Sequence, residues 1–331
     1  GAIAGGNCAV IKPSAYSPAT SQAIADMLLA TFPPEFVTVI QGGRKENVEL
    51  LDIKFDYIFF TGSTTVGKLV MEKASRYLTP VSLELGGKSP AIIDETADLK
   101  LTATRLAWGK FLNAGQTCVA PDYVLIHESR KDAFIAELRN AIKKAFPNGA
   151  LKDTNYVHII NQKQYSRLVA FLNDGKIVIG GESDPVSRCI EPTVLDEITF
   201  DSPVMQEEIF GPILPILTYQ NIDESISLLR KKPKPLALYI FTKNKAFSKK
   251  LLASLSFGGG CINDVIIHVA PSEMGFGGVG ESGMGTYHGK KSFDTFTHAK
   301  SIVDKKTWLD IPLRYRPYTK IKTKILRMFL R

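Results

Sequence analysis

Short apolar runs alternate with helical segments along the first 85 residues of the chain. Candidate strands occupy residues 7–12, 36–40 and 56–60, where apolar side chains cluster. Helices are predicted from Ser17 and Pro18 to about Ala30, over residues 44–51, and from about Thr64 to Tyr77. This alternation is typical of a parallel sheet with helical crossovers, so it predicts an α/β fold.

A second α/β unit is predicted from residue 86 to residue 293. Helical spacing is found over residues 99–111, and residues 123–127 form a short apolar run typical of a strand. Residues 131–146 are predicted to form an amphipathic helix, because apolar side chains recur there at helical spacing. The remaining residues, 294–331, differ in composition and form a third segment.

The turn after the third candidate strand has the composition of an anion site. Gly62 and Ser63 lie between a strand and a helix, where backbone N–H groups can face a dinucleotide pyrophosphate. The run 62–68 resembles a nucleoside-triphosphate P-loop, but Leu69 stands where a hydroxyl must bind magnesium. This position excludes the P-loop interpretation.

Cys118 lies in a run of small and polar residues, 113–121, shortly after Gly115. A cysteine on such a turn can share its space with backbone N–H groups, which is how a nucleophile acquires an oxyanion hole. The alternative is that Cys118 is simply a small buried side chain, which is the commoner role of an isolated cysteine.

Glu84 provides the second sign of chemistry. It stands between Leu83 and Leu85, and a carboxylate in such an apolar run is costly to bury unless the site uses it. Burial raises the pKa of a carboxyl group toward that of a base working near neutral pH. Glu84 is therefore a candidate general base.

The chain has a net charge of +8, and this charge is confined to one end. Residues 300–331 hold ten Lys or Arg against two Asp, which accounts for the whole excess. The preceding residues are neutral overall, which argues against nucleic-acid binding as the main task. Hydrophobic content of 44% and charged content of 22% are ordinary for a globular protein.

The cysteines, at positions 8, 118, 189 and 261, are far apart and show no C-x-x-C pairing. This spacing predicts neither a disulfide framework nor a metal site, and it favours a reducing, cytoplasmic location. No signal-like segment or run of eighteen apolar residues is present. His268 is expected to be an ordinary core or surface imidazole, because no second ligand accompanies it.

Four motifs together resemble the aldehyde dehydrogenase superfamily. They are the nucleophile run at 115–118, the base run at 83–90, the run Glu-Glu-Ile-Phe-Gly-Pro at 207–212, and a glycine-rich closing run from Phe276 to His298. The closing run resembles the class 3 or fatty-aldehyde branch. The resemblance spans more than two hundred residues and keeps the order and spacing of the family's motifs.

The resemblance implies NAD(P)-dependent oxidation of medium- or long-chain aliphatic or aromatic aldehydes to carboxylic acids. Residues 1–85 become a Rossmann-like dinucleotide-binding domain, and residues 86–293 the catalytic domain. Cys118 is then the nucleophile that forms a thiohemiacetal and a thioester, and Glu84 the base that activates water. The implied cofactor contacts are Lys12 with the adenosine ribose, Gly62 and Ser63 with the phosphates, Glu208 with the nicotinamide ribose, and Phe210 with the nicotinamide.

Two departures from the family pattern bear on these expectations. The family commonly has a Glu that accepts the ribose hydroxyls where this chain has Ala15, so both NAD and NADP are expected cofactors. The family's oxyanion-hole Asn lies upstream of Gly1, so the chain is expected to lack the N-terminal third. Low activity or low solubility of this span alone is expected for that reason.

The C-terminal segment, 294–331, carries two further expectations. By resemblance, residues 295–303 form an oligomerisation strand that extends a neighbouring subunit's sheet in a homodimer. Beyond it, apolar residues fall on one helical face and basic residues, with Arg331 among them, on the other. This segment, residues 318–331, is either a membrane-surface helix or a solvated terminal helix.

Two other functions remain open on the sequence alone. A related enzyme could pass the acyl group to coenzyme A or act on an acyl phosphate, although Glu84 favours hydrolysis. A non-catalytic protein could also keep the fold. The joint presence of Cys118, Glu84 and Glu208 argues against that second alternative.

Overall fold

The computed structural model describes residues 1–330, and its helices and strands alternate along most of the chain. The helices are α1 (Pro18–Thr31), α2 (Arg44–Leu51), α3 (Thr64–Ser75), α4 (Leu99–Phe111), α5 (Lys131–Ala145), α6 (Gln162–Phe171), α7 (Ile222–Leu229), α8 (Lys245–Ser254), α9 (Gly289–Thr295) and α10 (Lys320–Phe329). The strands are β1 (Ala9–Ile11), β2 (Val37–Val39), β3 (Ile58–Thr61), β4 (Val81–Glu84), β5 (Pro90–Ile93), β6 (Tyr123–His127), β7 (Lys176–Ile179), β8 (Ser183–Asp184), β9 (Cys189–Ile190), β10 (Thr193–Asp196), β11 (Ile213–Tyr219), β12 (Ala237–Phe241), β13 (Gly259–Ile262) and β14 (Gly283–Met284).

A seven-stranded sheet forms the centre of the molecule, in the order β13-β12-β5-β6-β11-β10-β7. All neighbouring pairs are parallel except β10 with β7. Strands β5 and β12 are buried along their whole length, as expected when helices cover both faces of a parallel sheet. The predicted α/β fold is confirmed.

Two apolar clusters cover the two faces of this sheet. One contains the inner faces of α4 and α5, with Leu106 and Leu138 fully buried. The other contains the inner faces of α6, α7 and α8, with Leu168 and Leu251 fully buried. The helices therefore pack by the amphipathic spacing that their sequences show.

The first 85 residues form two smaller sheets. Strand β1 pairs with β2 in parallel, and β4 lies between β3 and β14, parallel to the first and antiparallel to the second. Helix α3 packs Val70 against Leu83 and Leu85 on this second sheet. The division of the chain at residue 85 stays a prediction.

Most predicted elements are found, and the strand at 295–303 stays a prediction, because it needs a second subunit. The helices at 44–51 and 99–111 and the strand at 123–127 have the predicted bounds. The expected strand at 295–303 is absent from the described residues: α9 runs to Thr295, and no strand follows it. That segment is expected to pair with a strand of another subunit, and within one chain no strand is available for its backbone hydrogen bonds.

Two compact units divide the described chain. The first is Gly1–Thr297, and the second begins at His298. The second unit contains α10, whose apolar side chains Ile321, Met328 and Phe329 are each more than two-thirds exposed. This helix confirms the predicted amphipathic segment, although Arg331 lies outside the described residues.

Candidate active site

The loop that carries Cys118 is built from backbone angles that few side chains allow. Asn113, Ala114 and Gly115 have φ of 51°, 50° and 73°, so the chain turns sharply where α4 ends. A Cβ on Gly115 would lie 2.2 Å from the Gly211 carbonyl oxygen, so only glycine fits there. The loop around Cys118 therefore touches the loop around Glu208 directly through the backbone.

Cys118 itself lies in a tight turn. The Ala120 N–H donates to the Thr117 carbonyl oxygen at 3.0 Å and closes this turn. The thiol is half-buried, and the N–H groups of Cys118 and Val119 face its sulfur. Two backbone donors beside one sulfur favour its thiolate form.

The electrostatic setting of the thiol disfavours its ionised form. Burial and the carboxylates of Glu208 and Glu84 together raise the pKa of Cys118 to about 11, although the two backbone N–H groups lower it. Both carboxylates therefore lie within electrostatic range of the sulfur. Any group that ionises this thiol must bring positive charge or remove a proton.

Glu84 ends β4 and is only 2% exposed. Neither of its carboxylate oxygens has a hydrogen-bond partner within residues 1–330. Burial raises the pKa of this carboxyl group to about 8. A buried carboxyl group with free oxygens, next to a thiol, is poised to exchange a proton near neutral pH.

Glu208 approaches the same place from the loop before β11. Burial first, and then the Asp122 carboxylate, raise the pKa of Glu208 to about 8. Its carboxylate lies against Gly86, where a Cβ would come within 1.9 Å of Oε2. Phe210 follows with φ of 49°, and its ring is 40% exposed.

A buried ion pair holds this second loop. Lys88 Nζ bonds to Asp122 and also donates to the carbonyl oxygens of Val204 and Glu207, both at 2.9 Å. The other Asp122 oxygen accepts the Ile209 N–H at 2.9 Å. The loop is therefore fixed by charged groups that come from the nucleophile and base segments.

Arg167 on α6 holds the loop from its other side. Its Nη1 and Nη2 donate to the carbonyl oxygens of Glu208 and Ile209 at 3.2 and 2.6 Å. The sequence analysis missed Arg167, Lys88 and Asp122 as supporting residues. Lys88 and Asp122 adjoin the two quoted motifs and could have been found there, whereas no local pattern marks Arg167.

The residues expected at the cofactor phosphates lie beside the base strand. The Gly62 N–H donates to the Glu84 carbonyl oxygen at 3.0 Å, which joins the turn after β3 to the end of β4. Ser63 caps the twelve-residue helix α3 by accepting the Val66 N–H. This helix N-terminus fits the pyrophosphate of a dinucleotide.

Lys12 lies on the smaller β1–β2 sheet, away from the cluster of Cys118, Glu84 and Glu208. Its ammonium group donates to the Gly42 and Pro13 carbonyl oxygens at 2.7 and 2.9 Å. Among residues 1–330 it makes no hydrogen bond to that cluster. The structure thus brings the thiol and two carboxyl groups together and places Lys12 in a separate part of the site.

A comparison with known families decides the class of this site. The model of the aldehyde dehydrogenase family matches residues 1–302. The chain belongs to the aldehyde dehydrogenase family. It is 50% identical to 4,4'-diaponeurosporen-aldehyde dehydrogenase of Staphylococcus aureus, over all of this chain and 72% of that protein. It is 46% identical to aldehyde dehydrogenase family 3 member B1 of Mus musculus, over 98% of this chain and 70% of that protein.

Solved structures agree with this membership. The enzyme superposes on the substrate-bound AldH of Staphylococcus aureus with a TM-score of 0.96, at 49% identity, over 98% of this chain and 71% of that one. It also matches an aldehyde dehydrogenase of Mycobacterium tuberculosis complexed with NAD⁺, with a TM-score of 0.81 at 28% identity, over 92% and 64% of the two chains. The enzyme is an NAD(P)-dependent aldehyde dehydrogenase, and the class 3 resemblance is confirmed.

No helix within residues 1–330 combines the length and apolar character needed to cross a bilayer. In the same residues, no group of three or more His, Cys, Asp or Glu side chains is arranged to hold a metal ion.

Proposed function

We propose that Cys118 is the nucleophile and Glu84 the general base of aldehyde oxidation in this enzyme. The observation that carries this proposal is the convergence of Cys118, Glu84 and Glu208 from three separate segments. Within residues 1–330 neither carboxyl group forms a salt bridge, although the Lys88 and Lys110 charges lower the pKa of Glu208. Their burial is explained by chemistry rather than by folding stability.

The Cys118 thiolate attacks the aldehyde carbon and forms a thiohemiacetal. We assign the N–H groups of Cys118 and Val119, which lie beside the sulfur, as the donors that stabilise the negative oxygen. When bound, the nicotinamide accepts the hydride that the aldehyde carbon loses. The thiohemiacetal then becomes a thioester on Cys118.

Glu84 completes the reaction by deprotonating the water that hydrolyses the thioester. Its pKa of about 8 and its free carboxylate oxygens suit a base that works at mildly alkaline pH. A transferase that passes the acyl group to coenzyme A has no need of such a base. The hydrolytic reaction is therefore favoured over acyl transfer.

The cofactor contacts follow from the same arrangement. Gly62 and Ser63 would hold the phosphates at the N-terminus of α3, and Lys12 would contact the adenosine ribose. Glu208 would bond to the nicotinamide ribose, and Phe210 would pack near the nicotinamide. The fixed loop around Glu208 supports these roles, because a cofactor in position for hydride transfer needs rigid contacts.

The test compares the unchanged chain with Cys118→Ser and Glu84→Gln, using hexanal and an aromatic aldehyde and following absorbance of the reduced nicotinamide. We expect Cys118→Ser to lose turnover. We expect Glu84→Gln to accumulate an acyl adduct on Cys118, which intact-mass measurement detects. Turnover that survives in Cys118→Ser overturns the assignment.

The position of Ala15 supports use of both NAD and NADP, because no carboxylate at this position repels a 2′-phosphate. The variant Ala15→Glu tests this proposal. We expect it to raise the KM for NADP and to leave the KM for NAD nearly unchanged. Equal effects on both cofactors contradict the proposal.

The substrate is an apolar aldehyde, of medium or long aliphatic chain or aromatic. In support, Trp108 and Leu112 are apolar side chains on the segment that leads to Cys118, and they are 48% and 44% exposed. Specificity constants for aldehydes of increasing chain length test this. A kcat/KM that does not rise with the chain length of the aldehyde contradicts the proposed preference for apolar substrates.

We further propose a cytoplasmic homodimer. The four cysteines are free thiols, as in a reducing compartment. Ile302 and Val303 are 80% and 91% exposed, and an extended apolar segment of this kind can join the sheet of a second subunit. The variant Val303→Pro is expected to be monomeric in light scattering, and an unchanged dimer contradicts this interface.

Helix α10 supports weak contact with a membrane surface through residues 318–331. Its exposed apolar side chains share one face, and Lys320, Lys324 and Arg327 lie on the polar face. Flotation with anionic liposomes, with and without these residues, tests the proposal. Equal recovery of both forms contradicts it and leaves a solvated helix.

A further inference from the structure

We propose that Tyr239 is a positioning residue for the nucleophile turn: its hydroxyl fixes the carbonyl oxygen of Val119 and thereby the backbone donors at Cys118. The Tyr239 hydroxyl donates to this oxygen across 120 residues of sequence. Tyr239 lies in the middle of β12 and is fully buried. The proposal rests on the proposed role of Cys118 and assigns a function to a residue outside the family motifs named above.

The geometry explains why this one hydrogen bond matters. The turn from Thr117 to Ala120 is closed by a single internal bond, and neither the Cys118 nor the Val119 N–H donates to a carbonyl elsewhere in residues 1–330. Both donors are thus free to face the sulfur. The Tyr239 hydroxyl fixes the next peptide group, so the Val119 N–H cannot rotate away.

A strained loop lies beside the Tyr239 hydroxyl. Ile266 has φ of 65° and ψ of −41°, a conformation that a β-branched residue rarely adopts, and the Ile267 N–H donates to Val265 across it at 2.6 Å. The Ile266 N–H faces the Tyr239 hydroxyl. Local strain of this kind persists where the surroundings determine the position of a functional group.

Packing fixes the ring of Tyr239 as well. The His268 ring lies 6.0 Å from it and, on its far side, 6.1 Å from Phe276. Burial raises the pKa of Tyr239, so the hydroxyl keeps its proton and remains a donor throughout the working range of the enzyme. Tyr239 is therefore a rigid support that does not titrate with the site.

The test uses Tyr239→Phe in the whole chain, with Tyr219→Phe as a matched control. Tyr219 is also buried, and its hydroxyl also donates to a backbone carbonyl, that of Ile93 at 3.2 Å. It lies at the far end of β11, whereas the nucleophile turn precedes the first residue of the neighbouring β6. Both variants lose one buried hydrogen bond, but only one loses it at the turn.

The readout is the rate of Cys118 alkylation by iodoacetamide as a function of pH, with the modified peptide identified by mass spectrometry. Loss of aligned donors raises the pKa of the thiol, and one pKa unit lowers the thiolate fraction about tenfold. We expect about tenfold slower alkylation in Tyr239→Phe, a profile displaced to higher pH, and no change in Tyr219→Phe. We expect kcat to fall while the dissociation constant of NAD⁺ is unchanged.

Equal profiles in all three proteins, or the same displacement in both variants, overturn the proposal. Tyr239→Met, which also lacks a hydroxyl but fills the core flexibly, replaces the phenylalanine variant if that protein does not fold. The assay needs no turnover, so it separates two failures. Activity retained in Cys118→Ser refutes the proposed nucleophile, whereas unchanged alkylation refutes the role of Tyr239 alone.

Discussion

The variant Glu84→Gln is expected to be more stable than the unchanged enzyme at alkaline pH while losing its hydrolytic function. Burial raises the pKa of Glu84 from 4.5 to about 8, so the folded state holds a proton that the unfolded state has released. Stability is therefore highest below about pH 4.5 for this group and falls as pH rises to about 8. Glutamine carries no charge and escapes this loss.

The magnitude follows from the same shift. One pKa unit corresponds to about 1.36 kcal/mol. The rise in the Glu84 pKa from 4.5 to about 8 therefore limits the stability that ionisation of Glu84 can remove to about 5 kcal/mol. Water that reaches the cleft screens part of it, and we expect a gain of about 2 kcal/mol for Glu84→Gln at alkaline pH. Glu208, with a similarly raised pKa, keeps some pH dependence in the variant.

Urea unfolding from about pH 5 to about pH 9 measures this effect, with Glu72→Gln as a control. Glu72 is an exposed glutamate on α3, and its replacement leaves the buried site unchanged. We expect the free energy of unfolding to fall less steeply with pH in Glu84→Gln than in the other two proteins. Parallel curves for all three would show that Glu84 is hydrated in the folded state and would refute the reasoning.

Three further substitutions test the framework of the site. Gly115→Ala is expected to lower the free energy of unfolding by at least about 2 kcal/mol more than Gly6→Ala does, as measured by thermal unfolding. Both glycines have a positive φ, but only at Gly115 would the added Cβ collide with a neighbouring atom. Arg167→Met should weaken NAD⁺ binding about tenfold by calorimetry, whereas Arg139→Met, which loses a bond outside the site, should not. Lys88→Met leaves the buried Asp122 carboxylate without its ion-pair partner and should lower the free energy of unfolding in urea by about 3 kcal/mol. A loss no larger than that of an exposed salt bridge contradicts this prediction.

The sequence predicts those features that depend on local patterns. The bounds of α4 and β6 follow from apolar patterns, those of α2 from a polar helical segment between two strands, and Cys118 and Glu84 are found through short runs with unusual chemistry. The contact of Tyr239 with Val119 joins distant segments, and only the sheet order β12-β5-β6 brings them close. Arg167 likewise acts through carbonyl groups, which leave no mark on the neighbouring residue types.

The expected strand at 295–303 stays a prediction for a related reason. Apolar side chains such as Ile302 and Val303 show that a segment can be extended, but a strand exists only when a second strand supplies its hydrogen bonds. Whether a second strand is present depends on the assembly of subunits rather than on the local sequence. At a sheet edge, an apolar pattern in the sequence therefore does not by itself predict that a strand forms.

The close approach of Gly115 to Gly211 has a consequence for redesign of this enzyme. Because main chain meets main chain there, a side chain introduced at Gly115 collides with the Gly211 carbonyl group, and no substitution at Gly211 removes that group. Libraries aimed at bulkier aldehydes are better directed at the outer approach, where Trp108 and Leu112 can be shortened. We therefore expect Gly115 to vary much less among related sequences than Trp108 and Leu112.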